Sequence, residues 1–199
     1  MNDILVLGGG AWGTAIANLL ADNTKKIIYL WVFEKEVAKT INATSINKKY
    51  LPSKKINKNI LASSYLPNIN INTIFIVMPS QYIYDFFKKF QKHFKKNNNQ
   101  SFNFIICSKG IDLKRKMLLS DIIKSFFPKS KIAVLSGPSF AIDVLNKKPT
   151  AITLASKSPK LANTAVSLLS NSFFRVYLSK DIIGVQINGT MKNVLAIAA

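Results

Sequence analysis

Residues 4–14 read ILVLGGGAWGT, a segment compatible with very few folds. Four apolar residues, Ile4 to Leu7, suit a buried strand. They run into Gly8-Gly9-Gly10-Ala11-Trp12-Gly13, and a helical pattern, TAIANLLAD, follows at once. Strand, then G-x-G-x-x-G, then helix is the order that binds the pyrophosphate of a dinucleotide. Gly8 suits the sharp turn off the strand, Gly10 lets the backbone approach the pyrophosphate, and Gly13 lets the helix pack closely on the sheet. The unpaired N–H groups at the helix start then face the phosphate charge. A glycine-rich turn without a ligand is the alternative, and the flanking strand and helix weigh against it.

The same alternation continues along the chain. Short apolar runs predict strands at about 3–7, 27–32, 74–78, 104–107, 132–135, 151–155 and 174–178. Helical patterns fall between them at about 12–22, 35–44, 80–95, 115–126, 139–145, 159–170 and 181–199. Nearly continuous apolar strands alternating with helices predict an α/β fold, a Rossmann-like, doubly wound and mostly parallel sheet covered on both faces. The segments at 50–60 (YLPSKKINKNI) and 95–103 (KKNNNQSFN) read as connections. At 199 residues with 48% hydrophobic side chains, the chain can bury one large domain, or one domain and part of another.

Composition narrows the partners. The formal net charge is +19, yet only Arg115 and Arg175 are arginines, and the lysines are scattered among Asn and Ile. With no recognition motif and no arginine cluster, specific nucleic-acid binding is not expected. No apolar run is long enough for a membrane span, and residues 1–20 lack a basic signal-peptide start, so a cytoplasmic protein is expected. Cys107 is the sole cysteine and His93 the sole histidine, which excludes a disulfide framework and disfavours a metal site. His93, within FQKHFKK, reads as a solvated surface residue.

Doubly wound sheets bind ligands beyond the carboxyl ends of their strands, so the residues there are the candidates. Phe33-Glu34 follows the second strand, and Glu34 lies at the distance where an acidic residue accepts hydrogen bonds from the adenosine ribose. A carboxylate there also repels a 2′-phosphate; an ordinary acidic residue at a helix start is the alternative. Met78-Pro79-Ser80-Gln81-Tyr82 follows the third, where Ser80 can cap the next helix and Tyr82 lies against the cofactor or in the core. Cys107-Ser108-Lys109-Gly110 follows the fourth and Ser136-Gly137-Pro138-Ser139-Phe140-Ala141 the fifth. In the apolar C-terminal helix, Asn188 and Lys192 are i, i+4 neighbours on one face. Burial would lower the pKa of such a lysine and suit it to proton transfer, whereas a snorkelling lysine has no such role.

These segments together resemble NAD(P)-dependent glycerol-3-phosphate dehydrogenase. The likeness is carried by GGGAWGTAIA, LWVFE, INKKYLP, VMPSQ, SKGI, LSGPSFAIDV with KPTAITLAS, and FRVYLSKDIIGVQINGTMKNVLAIAA, in order over nearly the whole chain. The resemblance implies interconversion of dihydroxyacetone phosphate and glycerol 3-phosphate, a phosphorylated triose substrate, a role in phospholipid synthesis, and a homodimer for the full-length enzyme. It implies that Lys192 is the proton acceptor for the C2 hydroxyl and that Lys109 contacts substrate and cofactor. By the same likeness Gly137, Ser139 and Asn193 line the substrate pocket, and Ala141 touches the nicotinamide side. Gly8, Gly10, Ala11, Trp12 and Gly13 would hold the pyrophosphate, with Phe33, Glu34 and Tyr82 against the cofactor. No metal is implied.

Two departures from the family pattern bear on function. Many bacterial members carry an arginine after the second strand where this chain has Phe33 and then Glu34, so NAD is expected, with NADP the alternative. Family members also continue for an all-helical domain. Residues 1–179 are therefore expected to form the NAD-binding unit and 180–199 the first helix of that second domain. The isolated chain is then expected to bind cofactor with weak or absent turnover, a cofactor-binding fragment being the runner-up to an active enzyme. A related dehydrogenase for a non-phosphorylated hydroxy acid would need a block other than GTMKN. Replacing Glu34 with alanine should relax the preference for NAD, measured as the ratio of NAD to NADP affinity; an unchanged ratio would count against the ribose role.

Overall fold

A computed structural model of the chain describes residues 3–94 and 101–198, with side chains described through Met191. Chain order is β1 (Asp3–Leu7), α1 (Ala11–Thr24), β2 (Ile28–Trp31), α2 (Lys35–Thr44), β3 (Ile60–Ser63), β4 (Ile71–Ile76), α3 (Ser80–Phe94) and β5 (Asn103–Ile106). It continues with α4 (Leu119–Phe126), β6 (Lys131–Ser136), α5 (Ala141–Leu145), β7 (Thr150–Ser156), α6 (Pro159–Leu169), β8 (Phe174–Ser179) and α7 (Ile182–Ala198). The strands lie in one sheet in the order β3-β2-β1-β4-β5-β6-β7-β8. All neighbours are parallel except β6 and β7. From β1 the chain first builds outward through β2 and β3, then returns to add β4 on β1's other side. Connections on the two sides leave in opposite directions, so a crevice opens beyond the carboxyl ends of β1 and β4.

Strand alternation divides the apolar residues between two cores. Val6, Phe75, Ile105 and Ala133 face α1 and α6, among Ile16, Leu20, Leu161 and Leu169. Leu5, Leu7, Ile74, Ile76, Phe104 and Val134 face α3 and α4. The second core is largely aromatic. Phe87 lies 5.3–5.8 Å, centroid to centroid, from Phe86, Phe94, Phe104 and Phe127, mostly edge to face, the arrangement that ring quadrupoles favour. Among the described residues, every buried side-chain nitrogen and oxygen has a hydrogen-bond partner.

The α/β, mostly parallel architecture agrees with the sequence expectation; several details do not. β3 begins at the last residue of the Lys- and Asn-rich stretch 50–60, which reads as a connection. It is a four-residue edge strand with only Ile60 and Ala62 buried, too short and too half-solvated to stand out. β4 starts at Ile71 rather than 74, because Asn72 is accommodated by accepting a hydrogen bond from Asn103 Nδ2 at 2.7 Å. α4 starts at Leu119 rather than 115. Asp112 accepts from the Arg115 N–H and guanidinium, both at 2.9 Å, and Lys116 is left-handed at φ 54°, so residues 112–117 form a closed turn. α3 begins at Ser80 itself, so Ser80 is not a flanking cap. α5 begins at Ala141 rather than 139. His93 is half-buried, with Nε2 3.1 Å from the Pro67 carbonyl, rather than solvated. Of the polar connection at 95–103, residues 95–100 lie outside the described residues, and Asn103 opens β5.

Among the described residues no helix is long and apolar enough to cross a membrane. Cys107 follows β5 and is 1% exposed, and burial pushes its thiol well above the usual range. A neutral, covered thiol is a poor nucleophile. The folded chain should therefore leave Cys107 unlabelled by a thiol-reactive dye at pH 8, with full labelling in denaturant. Rapid labelling without denaturant would contradict this packing.

Candidate functional site at the carboxyl edge of the sheet

The centre of the site is the junction of β1 and α1. Gly8 has φ +118°, and its N–H donates to the Trp31 carbonyl at 2.9 Å. An L-residue there would be strained and would also place Cβ 2.7 Å from Met78 N, at the end of β4. Gly13 is closer still: a Cβ would sit 1.8 Å from the Gly8 carbonyl oxygen. Gly10 differs, since a Cβ there would meet nothing within 4 Å. It is the N-cap of α1, makes no side-chain cap, and no acidic residue stands in the first helical turn. The first intrahelical bond is Thr14 N–H to the Gly10 carbonyl. The start of α1 is therefore an uncapped, electropositive helix end facing open space at the crevice. Ala11 and Trp12 are half-buried on this first turn, and Trp12 packs against the α1-side core.

The glycine loop is held from outside by a residue that the sequence did not single out. Asn47 is fully buried; its Nδ2 donates to the Gly9 carbonyl at 2.9 Å and to Thr14 Oγ1 at 2.8 Å. Its Oδ1 accepts the Tyr50 N–H at 3.2 Å. The turn after α2 is thus fastened to the loop and carries Lys49 and Tyr50 to Glu34. Glu34 is the N-cap of α2 but does not cap it through its side chain. Its Oε1 instead accepts from Lys49 Nζ at 2.9 Å and Tyr50 OH at 2.7 Å. The Lys49 ammonium and Tyr50 hydroxyl hold the Glu34 carboxyl below its ordinary pKa. Phe33, beside it, is 81% exposed, and Tyr82 on the first turn of α3 is 60% exposed, which removes the core alternative for Tyr82.

Lys109 is half-buried in the turn after β5. That turn is tied to the end of β4: Ser108 Oγ donates to the Met78 carbonyl at 2.5 Å, and a Cβ on Gly110 would lie 2.8 Å from Ser80 Oγ. Beyond β6, Gly137 packs on β7, the Ser139 N–H donates to the Gly137 carbonyl at 3.0 Å, and Ala141 starts α5. A cleft of about 230 Å³ opens there, lined by Ser136, Gly137, Pro138, Thr153, Val185, Asn188 and Gly189. Its walls come from β6, β7 and α7. Thr153 and Val185 were not legible as lining, because a strand or helix period does not say which later element will face it.

Beside the packing of Ile182 and Val185 on the α3–α4 core, helix α7 is positioned by a close approach to β6 and by hydrogen bonds to α4. Gly189 lies so close to Ser136 that a Cβ would be 2.4 Å from its Oγ. Gln186, 4% exposed, accepts the Ser120 N–H at 3.1 Å and donates to Ser120 Oγ at 3.0 Å. The flanking residue of α4 is Leu118, which has no capping group, so Gln186 supplies from α7 the cap that α4 lacks. Lys192 and Asn193 belong to the backbone of α7, and their side chains lie outside the described residues. Among the described residues no group of three or more His, Cys, Asp or Glu is placed to hold a metal ion.

The family described as NAD-dependent glycerol-3-phosphate dehydrogenase N-terminus matches residues 3–162. A glycerol-3-phosphate dehydrogenase [NAD(P)+] of Neorickettsia sennetsu is 42% identical over 98% of this chain and 57% of its own length. One from Paramagnetospirillum magneticum is 39% identical over 100% of this chain and 70% of its own. Among solved structures, glycerol-3-phosphate dehydrogenase from Coxiella burnetii superposes with a TM-score of 0.89 at 31% identity, covering 99% of this chain and 59% of that one. The chain thus spans a little over half the length of several relatives it matches.

Removing the Gln186 side chain leaves a buried Ser120 N–H unpaired, which costs about 1–3 kcal/mol. Gln186→Ala should lower the denaturant midpoint accordingly. Asn188→Ala, two residues on and exposed, should stay within about 0.5 kcal/mol. Equal effects would contradict the capping role.

Proposed function

Because the chain belongs to the NAD-dependent glycerol-3-phosphate dehydrogenase family, we propose that it contributes the cofactor-binding half of an oxidoreductase interconverting dihydroxyacetone phosphate and glycerol 3-phosphate. The observation that carries this reading is the uncapped amino end of α1 at the reversal of strand order. The residues present fit the dinucleotide. Gly10 opens onto free space, the first-turn amides provide donors without a competing carboxylate, and Gly8 and Gly13 keep helix and strand in contact behind them. Ala11 and Trp12 hold the pyrophosphate with the glycines, and Phe33, Glu34 and Tyr82 lie along the adenosine and nicotinamide path. NAD or NADP is the cofactor, and bound, it supplies or accepts the hydride.

The substrate half of the reading rests on the far end of the same edge. Gly137 and Ser139 line a pocket for a small phosphorylated triose, with Ala141 beside it toward the nicotinamide. Lys192 accepts the proton of the C2 hydroxyl as the hydride departs, and returns it when the ketone is reduced; Asn193 stands next to it. Lys109 brings a second positive charge to the reacting oxygen, where it stabilises developing alkoxide charge. Support for these roles comes from the anchoring of α7 at the cleft through Gln186 and Gly189, and from the turn of Lys109 tied to the end of β4.

The division into a nucleotide unit at 1–179 and the start of a helical unit at 180–199 belongs to this proposal, as do a cytoplasmic location, a supply role in phospholipid synthesis, and a homodimer of the whole enzyme. A second reading has the chain by itself bind cofactor and leave substrate unturned; behind it stands the 57% coverage of the Neorickettsia relative.

One assay separates them. The fluorescence of the purified chain should quench on titration with NADH or NADPH. Its oxidation of NADH with dihydroxyacetone phosphate should be weak or absent until the remaining C-terminal part of a relative is added. Lys192→Ala should abolish the restored turnover while leaving nucleotide binding intact. Full turnover by the monodisperse chain alone would refute the second reading, and failure to bind either nucleotide would refute the first.

A further inference from the structure

Glu34 stands where a bare carboxylate would exclude a 2′-phosphate, but it is not bare. Lys49 Nζ and Tyr50 OH converge on its Oε1 at 2.9 and 2.7 Å. The charge presented at this corner of the crevice is therefore close to neutral. Phe33 offers no cation, and Lys35, next along the chain, has its ammonium over the Tyr65 ring at 5.8 Å.

We propose that Lys49 is the residue that lets this site take a 2′-phosphorylated nucleotide, its ammonium, which has three donors, bridging the Glu34 carboxylate and the phosphate. The inference rests on the proposal that a dinucleotide lies along the glycine loop. Three features support it. First, the turn carrying Lys49 is anchored to that loop by Asn47 through Gly9 and Thr14, and Asn47 also takes the Tyr50 N–H. The lysine is thus held near the adenosine end. Second, the Lys49 side chain is 56% exposed and that of Glu34 32%, and such an ion pair is weak and salt-screened, so the ammonium can shift toward a phosphate at little cost. Third, Tyr50 OH donates to the same Oε1 at 2.7 Å, so both partners hold one oxygen of Glu34 and the other is left for a 2′-hydroxyl when the nucleotide has no phosphate. The same triad so serves both nucleotides: Glu34 with Tyr50 for a ribose hydroxyl, Lys49 for a phosphate.

The test is equilibrium binding by the full chain, read by quenching of Trp12 and Trp31 fluorescence with NADH and with NADPH, without turnover. The unaltered chain should bind both, within about tenfold of each other. Lys49→Met should weaken NADPH about tenfold or more, the size of one charge-assisted contact, and NADH less than threefold. Lys49→Arg should retain NADPH binding, and the NADPH affinity of the unaltered chain should fall more steeply with salt than that of NADH. Lys39→Met removes a comparable exposed lysine, paired with Glu36 at 2.8 Å, and should change neither affinity. Equal losses for both nucleotides in Lys49→Met, or an unchanged NADPH affinity, would overturn the assignment. Failure of the unaltered chain to take up either nucleotide would overturn the cofactor reading itself, and this inference with it.

Discussion

The whole arrangement depends on a backbone contact that tolerates no side chain. With a Cβ on Gly13 only 1.8 Å from the Gly8 carbonyl, α1 can rest against the end of β1 only because that atom is missing. The contact sets the height of α1 over the sheet. It also brings the helix start to the reversal of strand order, where its amides have no capping side chain. A helix end left uncapped beside a buried sheet is unfavourable unless water or an anion satisfies it. Its neighbours are fitted around that end: Asn47 braces Gly9 from one side, and Met78 closes on Gly8 from the other.

The second organising element is long-range capping. Gln186 crosses from α7 to satisfy the start of α4, whose own flanking residue is leucine. A helix rich in apolar residues is thereby given one orientation against β6 and β7, and the cleft between Gly137 and Asn188 follows from it. The cost of leaving the Ser120 amide unpaired in the interior makes that orientation specific, where apolar contact alone would let the helix slide.

Most of the fold was legible. β1, β5, β6, β7 and β8 are apolar runs long enough to read, and α2, α3 and α6 show helical periodicity. Elements were missed where local chemistry overrode pattern. β3 is a half-buried edge strand among lysines, and the stretch before α4 is a turn because Asp112 takes both donors of Arg115. The likeness to the dehydrogenase family, read from seven motifs, agrees with the family match over residues 3–162. At the candidate site, Glu34 was singled out by its distance from the glycine loop. Its partners were not, because nothing in INKKYLP states that Asn47 turns inward while Lys49 and Tyr50 turn toward a carboxylate 15 and 16 residues earlier.

Residue type and spacing alone determined the α/β class and the strand, glycine loop and helix at its start, since both follow from local sterics and hydrophobic period; the family was legible as a likeness of motifs. Only the tertiary structure decided what charge Glu34 presents and how α7 meets the sheet. Both depend on pairs of groups far apart in the chain, and the energy of such a pair exists only once burial and close approach have brought the two together.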